Sequence, residues 1–102
     1  LPILISENSS KYLVGEGAPI GLFDDISFSE TTTNLPDKFR LLMLSDGILE
    51  VIKKKSLVEK ESYLLEISSH LNGEPENILE KLNVSNNNQY PDDIALFIID
   101  KL

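Results

Sequence analysis

Cysteine is absent from the 102 residues, so the fold can use neither disulfides nor thiolate metal ligands. That absence is compatible with a reducing compartment, and the cytoplasm is the default expectation. Basic residues are scarce: nine Lys and Arg stand against 17 Asp and Glu, for a net charge of −8. Phosphate backbones and anionic membrane surfaces are held mainly by Lys and Arg, so neither nucleic acid nor membrane is expected as a partner. The only basic run is Lys53-Lys54-Lys55. Long apolar runs are missing too. None approaches the roughly 18 residues of a membrane span, and the segment 1–5, with no basic flank before it, is too short for the core of a signal peptide. Internal repeats and low-complexity stretches are also lacking. The first residue is Leu rather than Met, which raises the expectation that the chain begins inside a longer protein. What is present, 41% hydrophobic and 25% charged residues, suits one small α/β domain with a modest core.

Along the chain, 1–5 and 11–14 are short apolar pieces separated by Ser6-Glu7-Asn8-Ser9-Ser10, the pattern of a β-hairpin. Three glycines and a proline within Gly15-Glu16-Gly17-Ala18-Pro19-Ile20-Gly21 predict a loop with special backbone angles. No helix start follows it to cradle a phosphate, which favours a structural role. Residues 26–35 alternate, with Ile26 and Phe28 among Ser, Glu and Thr, as in a strand with one wet face. The nearly continuous apolar run 39–44 predicts a strand buried on both faces, and 47–52 a short helix. Ser56-Leu57-Val58-Glu59 is a capping-box pattern opening a longer helix, with Leu57, Leu64, Ile67 and Leu71 along one face. Asn72-Gly73 reads as its stop, and 74–82 as another short helix with Pro75 in its first turn. Asn86-Asn87-Asn88-Gln89 is a polar loop, and 94–99 returns to a buried strand.

Two acidic clusters carry the chemistry. Leu44-Ser45-Asp46-Gly47 follows one predicted strand, and Tyr90-Pro91-Asp92-Asp93-Ile94 precedes the other. If those strands are neighbours, Asp46 and Asp92 project from adjacent strand ends into one corner rich in hard oxygen donors, which suits Mg²⁺ or Mn²⁺. Each cluster also has a plainer explanation. Asp46-Gly47 is common turn chemistry, and Asp92-Asp93 can be a cap or a solvated loop. Ser45 has no His and Asp partners that would mark it as a nucleophile. His70 falls near the end of the long helix, where a cation is favoured, and reads as structural. Lys53-Lys54-Lys55 reads as a solvated helix end or loop.

In order and spacing, Gly17-Ala18-Pro19-Ile20-Gly21-Leu22, Phe39-Arg40-Leu41-Leu42-Met43-Leu44-Ser45-Asp46-Gly47-Ile48-Leu49-Glu50 and Pro91-Asp92-Asp93-Ile94-Ala95-Leu96 resemble the second half of the bacterial sporulation-type serine phosphatases. These are members of the metal-dependent type 2C protein phosphatase superfamily, and the stretch around Asp46 looks most like the phosphatase domains attached to response-regulator receivers. The resemblance implies part of an antiparallel β-sandwich flanked by helices, an α/β fold of the α+β kind. It also implies a binuclear Mg²⁺ or Mn²⁺ centre with Asp46 and Asp92 as ligands, and Asp93 and Gly47 beside them or at the metal. The implied activity is hydrolysis of phosphoserine or phosphothreonine by a metal-activated water, with no nucleophilic side chain. The implied setting is bacterial signalling, with a phosphorylated protein substrate such as an anti-sigma factor antagonist and a receiver or sensor domain upstream. In that family an Asp-Gly element of the first half bridges both metals. Residues 1–102 are then expected to be the C-terminal portion of one phosphatase-like domain, incomplete as a catalyst when isolated. The alternative is a non-catalytic, phosphatase-like binding module of a response regulator that recognises a protein of a sigma-factor pathway.

Overall fold

The computed structural model describes residues 2–7, 9–15, 17, 20–70, 73–84 and 92–101. Strands β1 (Ile3–Ser6) and β2 (Ser9–Tyr12) form the expected hairpin, paired from Ile3 opposite Tyr12 to Ser6 opposite Ser9. The serines that read as turn residues belong to the strands. Glu7 adopts a φ of 46°, and a two-residue hairpin loop demands such left-handed backbone. The Ser9 hydroxyl donates to the Ser6 carbonyl at 2.8 Å, holding the turn closed.

Residues 26–35 form no strand. Their alternation matches a strand's period, yet no ladder takes them up, and Phe28 stays 56% exposed. Of the glycine-rich loop, Glu16, Ala18 and Pro19 lie outside the described residues. Gly21 takes a φ of 85°, a conformation that costs glycine little.

Strand β3 (Phe39–Leu44) pairs antiparallel with β1 on one side and with β4 (Leu96–Lys101) on the other, giving the order β2-β1-β3-β4. Helices α1 (Gly47–Val51), α2 (Leu57–Ser68) and α3 (Pro75–Lys81) intervene between β3 and β4. The architecture is α+β, an antiparallel sheet flanked by helices, as expected. Alternation along the strands places Ile3, Ile5 and Leu42 on the face that packs with Ile48 and Ile52 of the α1 corner, Leu64 of α2, and Ile78 and Leu82 of α3. Burying each of these side chains contributes about 1.5–3 kcal/mol.

Three burial expectations need correction. In β3 only Leu42 is fully buried, while its other residues are half-covered. Strand β4 is not buried: it forms the sheet edge, and Phe97 and Ile99 are exposed on the face away from the helices. It also starts two residues later than expected, because Ala95 bonds to Ser45 ahead of the ladder. Leu57, expected on one face of α2 with Leu64 and Ile67, is 57% exposed. The inward face instead centres on Leu64 and Ser68, and β2 is tied to its flank. Tyr12 Oη donates to the Glu61 carbonyl at 2.6 Å and Ser10 Oγ to that of Leu65 at 2.5 Å. Leu71, expected on the helix face, Asn72 of the expected stop Asn72-Gly73, and the polar loop 86–89 fall outside the described residues.

The helix ends follow local chemistry. The Ser56 hydroxyl accepts from the Glu59 N–H at 3.2 Å, as the capping box requires, but the Glu59 carboxylate reaches the Lys55 N–H rather than that of Ser56. Pro75 occupies the first turn of α3, where its missing N–H removes no helical bond. At the other end Asn83 takes a φ of 61°, its N–H bonds to the Glu80 carbonyl at 3.0 Å, and the Val84 N–H bonds to that of Leu79 at 2.9 Å. This is a Schellman closure with Asn in place of glycine.

Candidate functional site

Leu44 pairs with Leu96, so the chain leaving β3 and the chain entering β4 emerge side by side. Ser45 fastens them. Its N–H donates to the Ala95 carbonyl at 3.0 Å, its hydroxyl accepts from the Ala95 N–H at 2.8 Å, and the same hydroxyl contacts the Asp93 carbonyl at 3.2 Å. The backbone segments that carry the two acidic clusters therefore meet at one rim. Tyr90 and Pro91 of the second cluster lie outside the described residues.

Asp46 occupies the N-cap position of α1, but its side chain makes no capping bond. The turn that is the plainer explanation of Asp46-Gly47 does form, with the Ile48 N–H bonded to the Ser45 carbonyl at 3.2 Å and the Leu49 N–H to that of Asp46 at 3.0 Å, and the Asp46 carboxylate is exposed beside it. It borders a hollow of about 370 Å³ shared with Lys55, Ser56, Lys60 and Glu61. Asp92 is exposed, and its carboxylate accepts the Asp93 N–H at 2.8 Å, which stiffens the turn into β4. Asp93 is exposed as well, with its carbonyl directed at the β3 end.

Gly47 explains how closely these segments approach. A Cβ built on it would lie 2.2 Å from the Asp93 carbonyl oxygen, so no other residue fits without moving the 92–95 segment. The need for glycine is steric here, not one of backbone angle. Together Ser45 and Gly47 act as the clasp that sets Asp46 and Asp92-Asp93 on a common edge. Nothing in the sequence around Ser45 marks it for this role. Its clasping role was detectable only once β3 and β4 were known to be partners.

The donor set, carboxylate oxygens on an exposed rim, has the hardness that Mg²⁺ and Mn²⁺ select. Its number is smaller than a full shell. Among the described residues no group of three or more His, Asp or Glu converges as a cation site requires. His70 lies exposed in the turn after α2, its N–H bonded to the Ile67 carbonyl at 3.0 Å, and takes no part in the rim.

Sequence reading also missed an ion pair. Arg40 of β3 donates to both carboxylate oxygens of Asp100 in β4, at 2.7 and 2.8 Å. The two residues are direct partners in the register, which only the sheet topology discloses. The bidentate hydrogen bonds from Arg40 hold the Asp100 carboxyl below its ordinary range, and those to Asp100 raise the guanidinium further.

An antiparallel sheet flanked by helices, with acidic residues clasped where β3 ends and the edge strand β4 begins, is compatible with a phosphatase-type domain. The family model of Stage II sporulation protein E (SpoIIE) matches residues 1–101, and the chain belongs to that family. No curated protein matches the chain. No helix among the described residues is long and apolar enough to cross a membrane.

Proposed function

We propose that this domain is part of a metal-dependent protein serine/threonine phosphatase that hydrolyses phosphoserine or phosphothreonine in bacterial signalling. Family membership supports the phosphatase class. The observation that carries the residue assignment is the clasp of Ser45 and Gly47, which presents Asp46, free of any capping bond, beside Asp92 and Asp93. Asp46 and Asp92 would each give a carboxylate oxygen to a divalent cation, Mg²⁺ or Mn²⁺, with Asp93 next to them. When bound, such a cation acidifies water and neutralises charge on the phosphoryl oxygens. Gly47 lets the backbone at Asp93 lie against the start of α1, and Asp92 holds its turn through the Asp93 N–H. In this proposal the remaining ligands come from other parts of the parent polypeptide. The substrate would be a phosphorylated protein of the anti-sigma factor antagonist kind, and a receiver or sensor domain upstream would regulate turnover in the cytoplasm.

The test is Mn²⁺-dependent release of phosphate from a phosphoserine protein by the parent protein. Asp46→Asn and Asp92→Asn are each expected to lower turnover by orders of magnitude, since each removes a ligand from the centre that activates water. Native turnover in both variants would reject the assignment. A second reading is a non-catalytic binding module, favoured for the isolated chain because no three acids converge among the described residues. Phosphate release by the parent protein separates the two, since a binding module gives none, and calorimetric titration measures the Mn²⁺ affinity of the isolated chain. Binding weaker than about millimolar is expected, because Mg²⁺-like ions hold poorly to sites with few protein ligands.

A further inference from the structure

The lysine run does not simply face solvent. Lys53 and Lys54 border a cleft of about 660 Å³ between the end of α1, the side of α2 and the end of α3, within the volume range of ligand-binding pockets. Its floor includes Ile52 and Leu82, both buried, and the ring of Tyr63. The Lys54 ammonium sits over that ring, 4.9 Å from its centre, in cation–π geometry that limits where the charge can point. Asn83 borders the opposite side, fixed by the Schellman closure of α3, whose end carbonyls are already satisfied by Asn83 and Val84 N–H groups. Neither Lys53 nor Lys54 has an ion-pair partner among the described residues, where the one ion pair is Arg40 with Asp100. Glu50 is the single acid on this border.

We propose that this cleft docks a short acidic peptide segment of a partner protein, one with an apolar anchor residue among its Asp and Glu. Charge complementarity selects that occupant. In a chain of net charge −8, the only basic run is placed on the border of an apolar-floored cleft, so anionic side chains meet two cations there and repulsion across most of the remaining surface. The floor accepts the anchor, and the Asn83 amide can both donate to and accept from a peptide backbone. Lys55, the third of the run, borders the separate hollow beside Asp46, and Glu50 borders both. The cleft therefore adjoins the acidic rim without including it, and docking does not depend on phosphatase activity.

The experiment is fluorescence anisotropy with the native protein and labelled peptides that intersperse Leu with Glu and Asp, with Gln, or with Lys. The acidic peptide is expected to bind most tightly, with affinity falling at least tenfold between about 0.05 and 0.5 M salt as exposed charges are screened. Lys53→Glu with Lys54→Glu should weaken it by about tenfold or more, and Glu50→Gln should tighten it by a few-fold. All three side chains are at the surface, so unchanged circular dichroism is expected and checks the fold. Equal binding of the acidic and Gln peptides, binding of the acidic peptide unaltered by the double charge reversal, or no binding of it at low salt would each overturn the proposal.

Discussion

At the scale of single residues, Gly47 is the position where the smallest chemical change should do the most. Adding one methyl group pushes the Asp93 carbonyl away and slackens the clasp that Ser45 makes with Asp93 and Ala95. Gly47→Ala is therefore expected to destabilise the domain by about 1–3 kcal/mol, the usual cost of overpacking. The helical position would by itself gain slightly from Ala, so a loss of stability isolates the steric term. Urea unfolding measures it, and a variant as stable as the native chain would show that the Asp93 carbonyl can retreat freely. In the parent protein the same substitution should lower Mn²⁺-dependent turnover while leaving Asp46 and Asp92 chemically intact.

At the scale of elements, β3 and β4 are stitched at both ends, by Ser45 at the rim and by Arg40 with Asp100 at the far end. The Arg40 bonds lower the native pKa of Asp100 relative to the unfolded chain, so the native state binds fewer protons. That contribution is present above the unfolded carboxylate's pKa, about 4, and is lost as pH falls through the lower native value. At neutral pH, Asp100→Asn should cost no more than about 1 kcal/mol, because the pair is partly exposed to solvent. Urea titrations in steps down to about pH 2 should show the native chain and the variant converging below pH 4 or so. A gap that persists undiminished in acid would assign the cost to packing instead.

The elements most legible in the sequence were those whose signals are local. Ser56 with Glu59, Pro75, and the apolar runs near 39–44 and 94–99 announce themselves within a few residues. Burial was harder to read, because a continuous apolar run gives no sign of whether its strand lies inside the sheet, as β3 does, or at the edge, as β4 does. The alternation over 26–35 misled for a related reason: strand period is a property of the segment, but a strand exists only where another offers its hydrogen bonds. Asp46, Asp92 and Asp93 were legible as a candidate cluster through their place at predicted strand ends. The parts contributed by Ser45 and Gly47 were not, since both depend on contacts nearly fifty residues away in sequence.

At the scale of the whole molecule, the charge imbalance is the feature most open to measurement. With 17 acidic against nine basic residues and a single ion pair among those described, the folded state concentrates its own repulsion. Raising salt from about 0.01 to 0.15 M shortens the Debye length from about 30 to 8 Å, so melting should move upward by a few degrees. A flat or falling melting temperature over that range would mean that local attractions dominate the balance.

The clasp at Ser45 also has a consequence in time. Its partners at 93 and 95 arrive only after three helices have been threaded between β3 and β4. A loop of that length closes late compared with a hairpin or a helix turn, since the chain must lose its freedom before any long-range contact repays it. Asp46 and Asp92 therefore remain far apart in a nascent or partly unfolded chain. A cation held by both, as proposed, would be captured only by a molecule that has already completed its sheet, so the rim would report on the integrity of the fold it sits in.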